Sequence, residues 1–171
     1  LIIIYGVASG MSYLHSNEVL HCDLKLSNVW LDDRLFPKIT GFDVSEKIES
    51  NNKIKTKMII KGSPAYLAPE IYLEKRRNKS SDVYSFSLFV YELLMKEKPY
   101  QEFKDIKEIR DNVTLKNQRP KFDKKISEPY RLLIEKCWSQ DPNERLTFEE
   151  ILNELENNPN FITDEINDEE Y

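Results

Sequence analysis

Apolar side chains recur three or four residues apart over positions 2–16, at Ile3, Ile4, Val7, Ala8, Met11 and Leu14, and this period predicts an amphipathic helix ending near Asn17. His15, at its end, reads as a structural histidine. Val83, Phe86, Val90, Leu93 and Leu94 repeat the period further on, and Leu88 and Phe89 make that segment apolar nearly all round, the mark of a buried central helix. Ser80 or Ser81 is the expected cap at its start, and the helix should stop before Pro99. Shorter amphipathic helices are predicted over 104–113 and over 127–138, the latter with Tyr130, Leu133, Ile134 and Trp138 inward. Thr147 opens a last helix to about Leu155, with Glu150 three residues on to complete a capping box. Between the first two helices the period changes. Val29-Trp30-Leu31 reads as a short strand, Asp32-Asp33 as a turn, and residues 35–40 as the returning strand of a hairpin. Residues 44–60 are polar and lysine-rich without a clear period, which predicts a loop. The pattern therefore describes a mainly α chain with one small β-hairpin.

Composition narrows the class. A chain of 171 residues suits one domain with a sizeable core. The net charge is −5 and unevenly spread: residues 154–171 hold seven acidic side chains and no basic one, whereas residues 47–61 hold five lysines and one glutamate. The acidic balance argues against nucleic-acid binding, and residues 157–171 read as an acidic, disordered tail. No apolar run reaches the ~18–20 residues needed to span a bilayer, so no membrane partner is expected. Cys22 and Cys137 stand far apart without metal-ligand companions, which reads as two buried free thiols in a reducing, cytoplasmic setting. The chain starts at Leu1 and its first methionine, Met11, falls inside a helical pattern, as expected of the downstream part of a longer protein.

Chemistry concentrates in His21-Cys22-Asp23-Leu24-Lys25-Leu26-Ser27-Asn28. A loop with Asp, Lys and Asn at this spacing aims a proton acceptor, a phosphate-binding cation and a metal-binding carboxamide at one centre. The pattern H-x-D-x-K-x-x-N resembles the catalytic loop of eukaryotic protein kinases, H-R-D-L-K-x-x-N. Other matches follow in order. Gly62-Ser63-Pro64-Ala65-Tyr66-Leu67-Ala68-Pro69-Glu70 resembles the substrate-docking loop and the A-P-E end of the activation segment. Asp82-Val83-Tyr84-Ser85-Phe86-Ser87 resembles the D-V-Y-S-F-G helix, and Cys137-Trp138 to Phe148 resembles C-W-x-x-D-P-x-x-R-P-T-F with Leu146 in place of a proline.

The resemblance implies a protein-kinase-like C-terminal lobe over residues 1–156, with the hairpin beside the catalytic loop, closest to the tyrosine-kinase-like serine/threonine group. By family, ATP and Mg²⁺ are the cofactors and a protein the substrate or partner. Asp23 and Lys25 are the implied catalytic residues and Asn28 a metal ligand. Ser63, Pro64 and Tyr66 dock substrate, while His21, Phe42, Glu70, Asp82 and Arg145 are structural: Glu70 pairs with Arg145, and Asp82 turns back to the catalytic-loop backbone.

Two departures change the functional expectation. Gly41-Phe42-Asp43 stands where the family has Asp-Phe-Gly, so Gly41 replaces the expected metal ligand. In extended backbone Asp43 would lie roughly 6–7 Å from that place. Cys22 replaces the arginine that would hold a loop phosphate, so phosphate on Ser45, Ser50 or Thr56 is not expected to order the loop through this position. The chain also carries neither the G-x-G-x-x-G turn nor the V-A-I-K lysine of the small N-terminal lobe, so which residues bind the nucleotide is unknown. The expectation is a kinase family member that is inactive as given; the alternative is a pseudokinase scaffold or allosteric binding module.

Overall fold

A computed structural model describes residues 1–48, 62–122 and 126–161. Six helices appear there: α1 (Ile2–Ser16), α2 (Pro69–Glu74), α3 (Lys79–Met95), α4 (Ile106–Leu115), α5 (Glu128–Cys137) and α6 (Phe148–Asn157). Four short strands, β1 (Val19–Leu20), β2 (Val29–Leu31), β3 (Pro37–Ile39) and β4 (Glu46–Lys47), form two antiparallel pairs. β2 pairs with β3 in the expected hairpin, with Trp30 opposite Lys38. β1 pairs with β4, with Val19 opposite Lys47. No described helix is long and apolar enough to cross a membrane.

The chain wraps around α3. Residues 81–91 of this helix are all buried, so its side chains meet protein on every side. α1 and α5 pack against it, α6 closes over α1, and α2 lies on α4. Burial of Tyr84, Phe86, Leu88 and Phe89 on one helix offsets the cost of ordering it, since each large apolar side chain contributes about 1.5–3 kcal/mol when removed from water. The hairpin rests on α1 at a point where a side chain would not fit: a Cβ on Gly6 would stand 2.5 Å from Pro37 Cγ. This contact anchors the strand leading to Gly41.

Several boundaries differ from expectation. α3 is capped by Asn78, not by Ser80 or Ser81. The Asn78 side chain accepts from the Ser81 amide at 2.8 Å, and Ser81 Oγ accepts from the Asn78 amide, so Ser81 is the far corner of a capping box. The expected Thr147–Glu150 box forms at α6. α2 and the β1–β4 pair were not anticipated, and β4 occupies two residues of the segment expected to be loop. The returning strand is confined to Pro37–Ile39 because Asp32 gathers the Arg34 and Phe36 amides into a tight turn. Beyond α6, a 3₁₀ turn at Pro159–Phe161 returns Phe161 to the core, 2% exposed and edge-on to Tyr130. Packed chain therefore continues past residue 156, and residues 162–171 lie outside the described part. Cys22 and Cys137 are free and buried.

Candidate active site

The loop between β1 and β2 is held from beneath by α3. Asp82 Oδ2 accepts from the His21 amide at 2.8 Å and Oδ1 from the Cys22 amide at 2.9 Å. His15, at the end of α1, gives the same carboxylate a third bond, 3.0 Å from Nε2 to Oδ2. Cys22 has φ +69, a left-handed conformation that costs a non-glycine residue about 1–3 kcal/mol, and the Asp82 bond holds it there. His21 is buried and bridges two segments. Its Nδ1 accepts from the Asp23 amide at 3.2 Å, so Nε2 carries the proton and donates to the Thr40 carbonyl at 2.9 Å. The loop is thereby fixed to the chain leading into Gly41.

Three side chains converge above this base. Asp23 Oδ1 accepts from the Ser63 amide at 2.7 Å, and Oδ2 accepts from Asn28 Nδ2 at 3.2 Å and lies 3.3 Å from Lys25 Nζ. Lys25 Nζ also donates to Ser63 Oγ at 2.6 Å, which ties the loop to the segment before α2. Asn28 Nδ2 bonds the Asp23 carbonyl as well, at 2.8 Å, leaving its Oδ1 as the carboxamide acceptor. Asp23, Lys25, Asn28 and Ser63 thus form one connected polar group.

Position 41 borders it directly. Gly41 has φ +83, and a Cβ placed there would lie 2.5 Å from Asn28 Nδ2. Any side chain requires Asn28 to give up its bonds to Asp23 or the backbone to leave the left-handed region. Gly41→Ala is therefore expected to lower stability by about 1–3 kcal/mol, read from the urea midpoint at unchanged m-value. Phe42–Val44 form a 3₁₀ turn, so the extended geometry considered for Asp43 does not occur, and Asp43 is exposed. The Phe42 ring is 44% exposed and sits edge-on to His21 at 5.0 Å.

Ser63, Pro64 and Tyr66 lie in a 3₁₀ turn and its flank. The Pro64 carbonyl accepts from Tyr72 Oη at 2.7 Å, and Tyr66 Oη donates to Glu92 at 2.5 Å. Burial first, then the Glu92 bond, push the Tyr66 hydroxyl well above its ordinary pKa, so it stays a donor. At the far end, Arg145 grips Glu70 with two bonds of 2.9 Å and also donates to the Ser80 and Ser139 carbonyls. Thr40, Glu92 and Asn78 escaped notice in the sequence; Asn78 alone carried a usable signal, as a strong N-cap residue.

The mainly α fold and this loop define a protein kinase domain: the family model for that domain matches residues 2–155, and the chain belongs to this family. It is 36% identical over 151 residues to dual specificity protein kinase shkC of Dictyostelium discoideum, covering 87% of this chain and 30% of that one. It is 35% identical over 152 residues to the probable serine/threonine-protein kinase drkC of the same organism, covering 88% and 20%. It is also 33% identical over 164 residues to serine/threonine-protein kinase STY17 of Arabidopsis thaliana, covering 96% and 27%. The chain thus spans less than a third of the length of these relatives.

The family uses ATP and Mg²⁺. Mg²⁺ demands near-octahedral oxygen coordination at ~2.0–2.1 Å. Here the Asn28 carboxamide and the Asp23 carboxylate, already engaged by three donors, are the oxygens at hand, and Gly41 adds none. No cluster of three or more His, Cys, Asp or Glu among the described residues is arranged to hold a metal. The residues present do not fit the ion by themselves.

Proposed function

We propose that residues 1–156 form the C-terminal lobe of a protein serine/threonine kinase domain in which the catalytic loop is assembled but the 171 residues alone do not transfer phosphate. In this reading Asp23 orients and deprotonates a protein hydroxyl, Lys25 meets the transferring phosphoryl group, and Asn28 is the surviving metal ligand. Ser63, Pro64 and Tyr66 form the bed for a substrate peptide, and His21, Phe42, Glu70, Asp82 and Arg145 hold the frame. The single observation that carries the proposal is Gly41, a left-handed glycine packed on Asn28 where the family places its metal-binding carboxylate. Loss of one preorganised electrostatic group costs about 10²–10³ in rate. The connected group of Asp23, Lys25 and Ser63 supports phosphoryl transfer as the chemistry of the loop within a longer protein. The second reading, a pseudokinase scaffold, draws on Gly41 together with the neutral Cys22.

The test uses the purified chain. Mg-ATP is expected to leave its melting temperature unchanged, and no labelled γ-phosphate should reach a serine peptide. Transfer that disappears in Asp23→Asn would overturn the proposal.

A further inference from the structure

The chain between α4 and α5 returns to the end of α5, where Arg119 donates to the Trp138 carbonyl at 2.9 Å. A groove of about 610 Å³ lies between the two. Its floor is apolar: the Phe122 ring stands 5.5 Å from that of Trp138, and Ile126 lines the groove with them. Tyr91 supports this floor from α3, with its ring 5.8 Å from Phe122 and 6.3 Å from Trp138, and its hydroxyl donates to the Lys121 carbonyl at 2.9 Å. The rim is charged. Arg119, Lys121 and Arg131 stand there with Glu135, the one carboxylate among the described lining residues.

We propose that this groove binds the acidic tail of the same chain, residues 162–171, with Ile166 on the apolar floor and the carboxylates of the tail on the basic rim. The inference goes beyond the phosphoryl-transfer reading and does not depend on it. Charge supports it first. Arg119 is held by neutral acceptors, the carbonyls of Trp138 and Gln118 and the side-chain oxygen of Gln140, so three of its five N–H groups are used and its charge is not cancelled. The Tyr84 ring, 5.2 Å from its Cζ, is kept neutral by burial, which raises the hydroxyl. Lys121 is exposed. Arg131 meets Glu128 at 4.0 Å and Glu135 at 3.8 Å, exposed pairs of a kind that contribute little. Three cations against these two carboxylates leave the rim with an excess of positive charge.

Composition and reach complete the case. Residues 162–171 carry five carboxylates and no cation, with Ile162, Ile166 and Tyr171 set among them. That alternation matches a basic rim around an apolar floor. The described chain ends at Phe161, which Tyr130 fixes to α5 through edge-on rings 4.9 Å apart and a bond of 3.1 Å from its hydroxyl to the Phe161 carbonyl. The tail therefore starts on the helix that carries Arg131 and Glu135. From Tyr130 to Trp138 that helix rises about 12 Å, and the chain from Phe161 to Ile166 extends to roughly 17 Å.

The test compares the full chain with a neutralised form carrying Asp164→Asn, Glu165→Gln, Asp168→Asn, Glu169→Gln and Glu170→Gln. The Trp138 Nε1–H signal in the NMR spectrum at low salt is expected to differ between the two, whereas that of Trp30, on the hairpin, should not. The probe is a peptide of residues 162–171. It should bind the neutralised chain at least about tenfold more tightly than the intact one, whose tethered tail competes at an effective concentration of order millimolar. Lys121→Glu in the neutralised chain, at an exposed residue that keeps the fold, should weaken the peptide about tenfold. Ile166→Ser in the peptide should also weaken it about tenfold. Equal affinity of the two chains for the peptide, an unmoved Trp138 signal, or binding unchanged in Lys121→Glu would overturn the proposal. Equal binding of the Ile166→Ser peptide would overturn the placement of Ile166 on the floor. A spectral difference that fades on dilution would put the tail of a second copy in the groove and overturn docking within one chain.

Discussion

Arg145→Met is expected to destabilise the chain by about 3–5 kcal/mol, because it leaves the Glu70 carboxylate buried without its counter-charge. The pair is closed to water: the Arg145 side chain is 0% exposed and that of Glu70 7%. Four of the five guanidinium N–H groups are used, toward Glu70, the Ser80 carbonyl and the Ser139 carbonyl, and its Cζ lies 5.1 Å from the centre of the Tyr84 ring. The residue therefore joins the start of α2, the start of α3 and the turn before α6. Methionine keeps the apolar stem but answers none of these acceptors. A loss of this size is a large share of the ~5–15 kcal/mol that holds a domain together. Urea unfolding should show a lower midpoint at unchanged slope. Replacing both partners, Glu70→Gln with Arg145→Met, should recover part of the loss, since an uncharged pair is cheaper to bury than a lone carboxylate. A single-variant loss below about 1 kcal/mol would mean that the pair is as weak as a surface one.

The parts legible in the sequence are those that local chemistry decides. A 3.6-residue period does not depend on what packs against it, so α1, α3, α5 and α6 were placed within about two residues. The Thr147–Glu150 box was legible because both partners sit in one turn. At α3 the same logic pointed to Ser80 or Ser81, whereas the residue that keeps extended backbone and caps the helix is Asn78, just upstream. The β1–β4 pair joins residues 28 and 26 positions apart, Val19 with Lys47 and Leu20 with Glu46, over two residues each, too short for any period to register. Asp23, Lys25 and Asn28 were legible as a set because their spacing is local. What the set touches was not: Ser63 reaches Asp23 from 40 positions away, and Gly41 meets Asn28 through a positive φ that no residue pattern encodes. Phe161 was assigned to the tail because the acidic composition of residues 154–171 masked one aromatic side chain with a place in the core.

Asp82→Ala is the second change expected to be severe, and its effect should be focused on the catalytic loop. The carboxylate satisfies three buried donors: the His21 amide, the Cys22 amide and His15 Nε2. Each donor stranded without water or protein costs about 1–3 kcal/mol, so even partial rearrangement leaves a loss of about 3–5 kcal/mol. The strained backbone at Cys22 adds a local consequence. With φ +69 and no bond to hold it, residue 22 should relax toward negative φ and carry Asp23 away from Ser63 and Asn28. Hydrogen exchange separates this from general weakening. The His21 and Cys22 amides should lose protection in Asp82→Ala more than the amides of α5, which touch neither group. Asp82→Asn should fall between, because a carboxamide offers one acceptor oxygen where the carboxylate offers two. If the amides of residues 21 and 22 keep the protection they have in the parent chain, Asp82 is a helix residue like its neighbours and the loop stands on other supports.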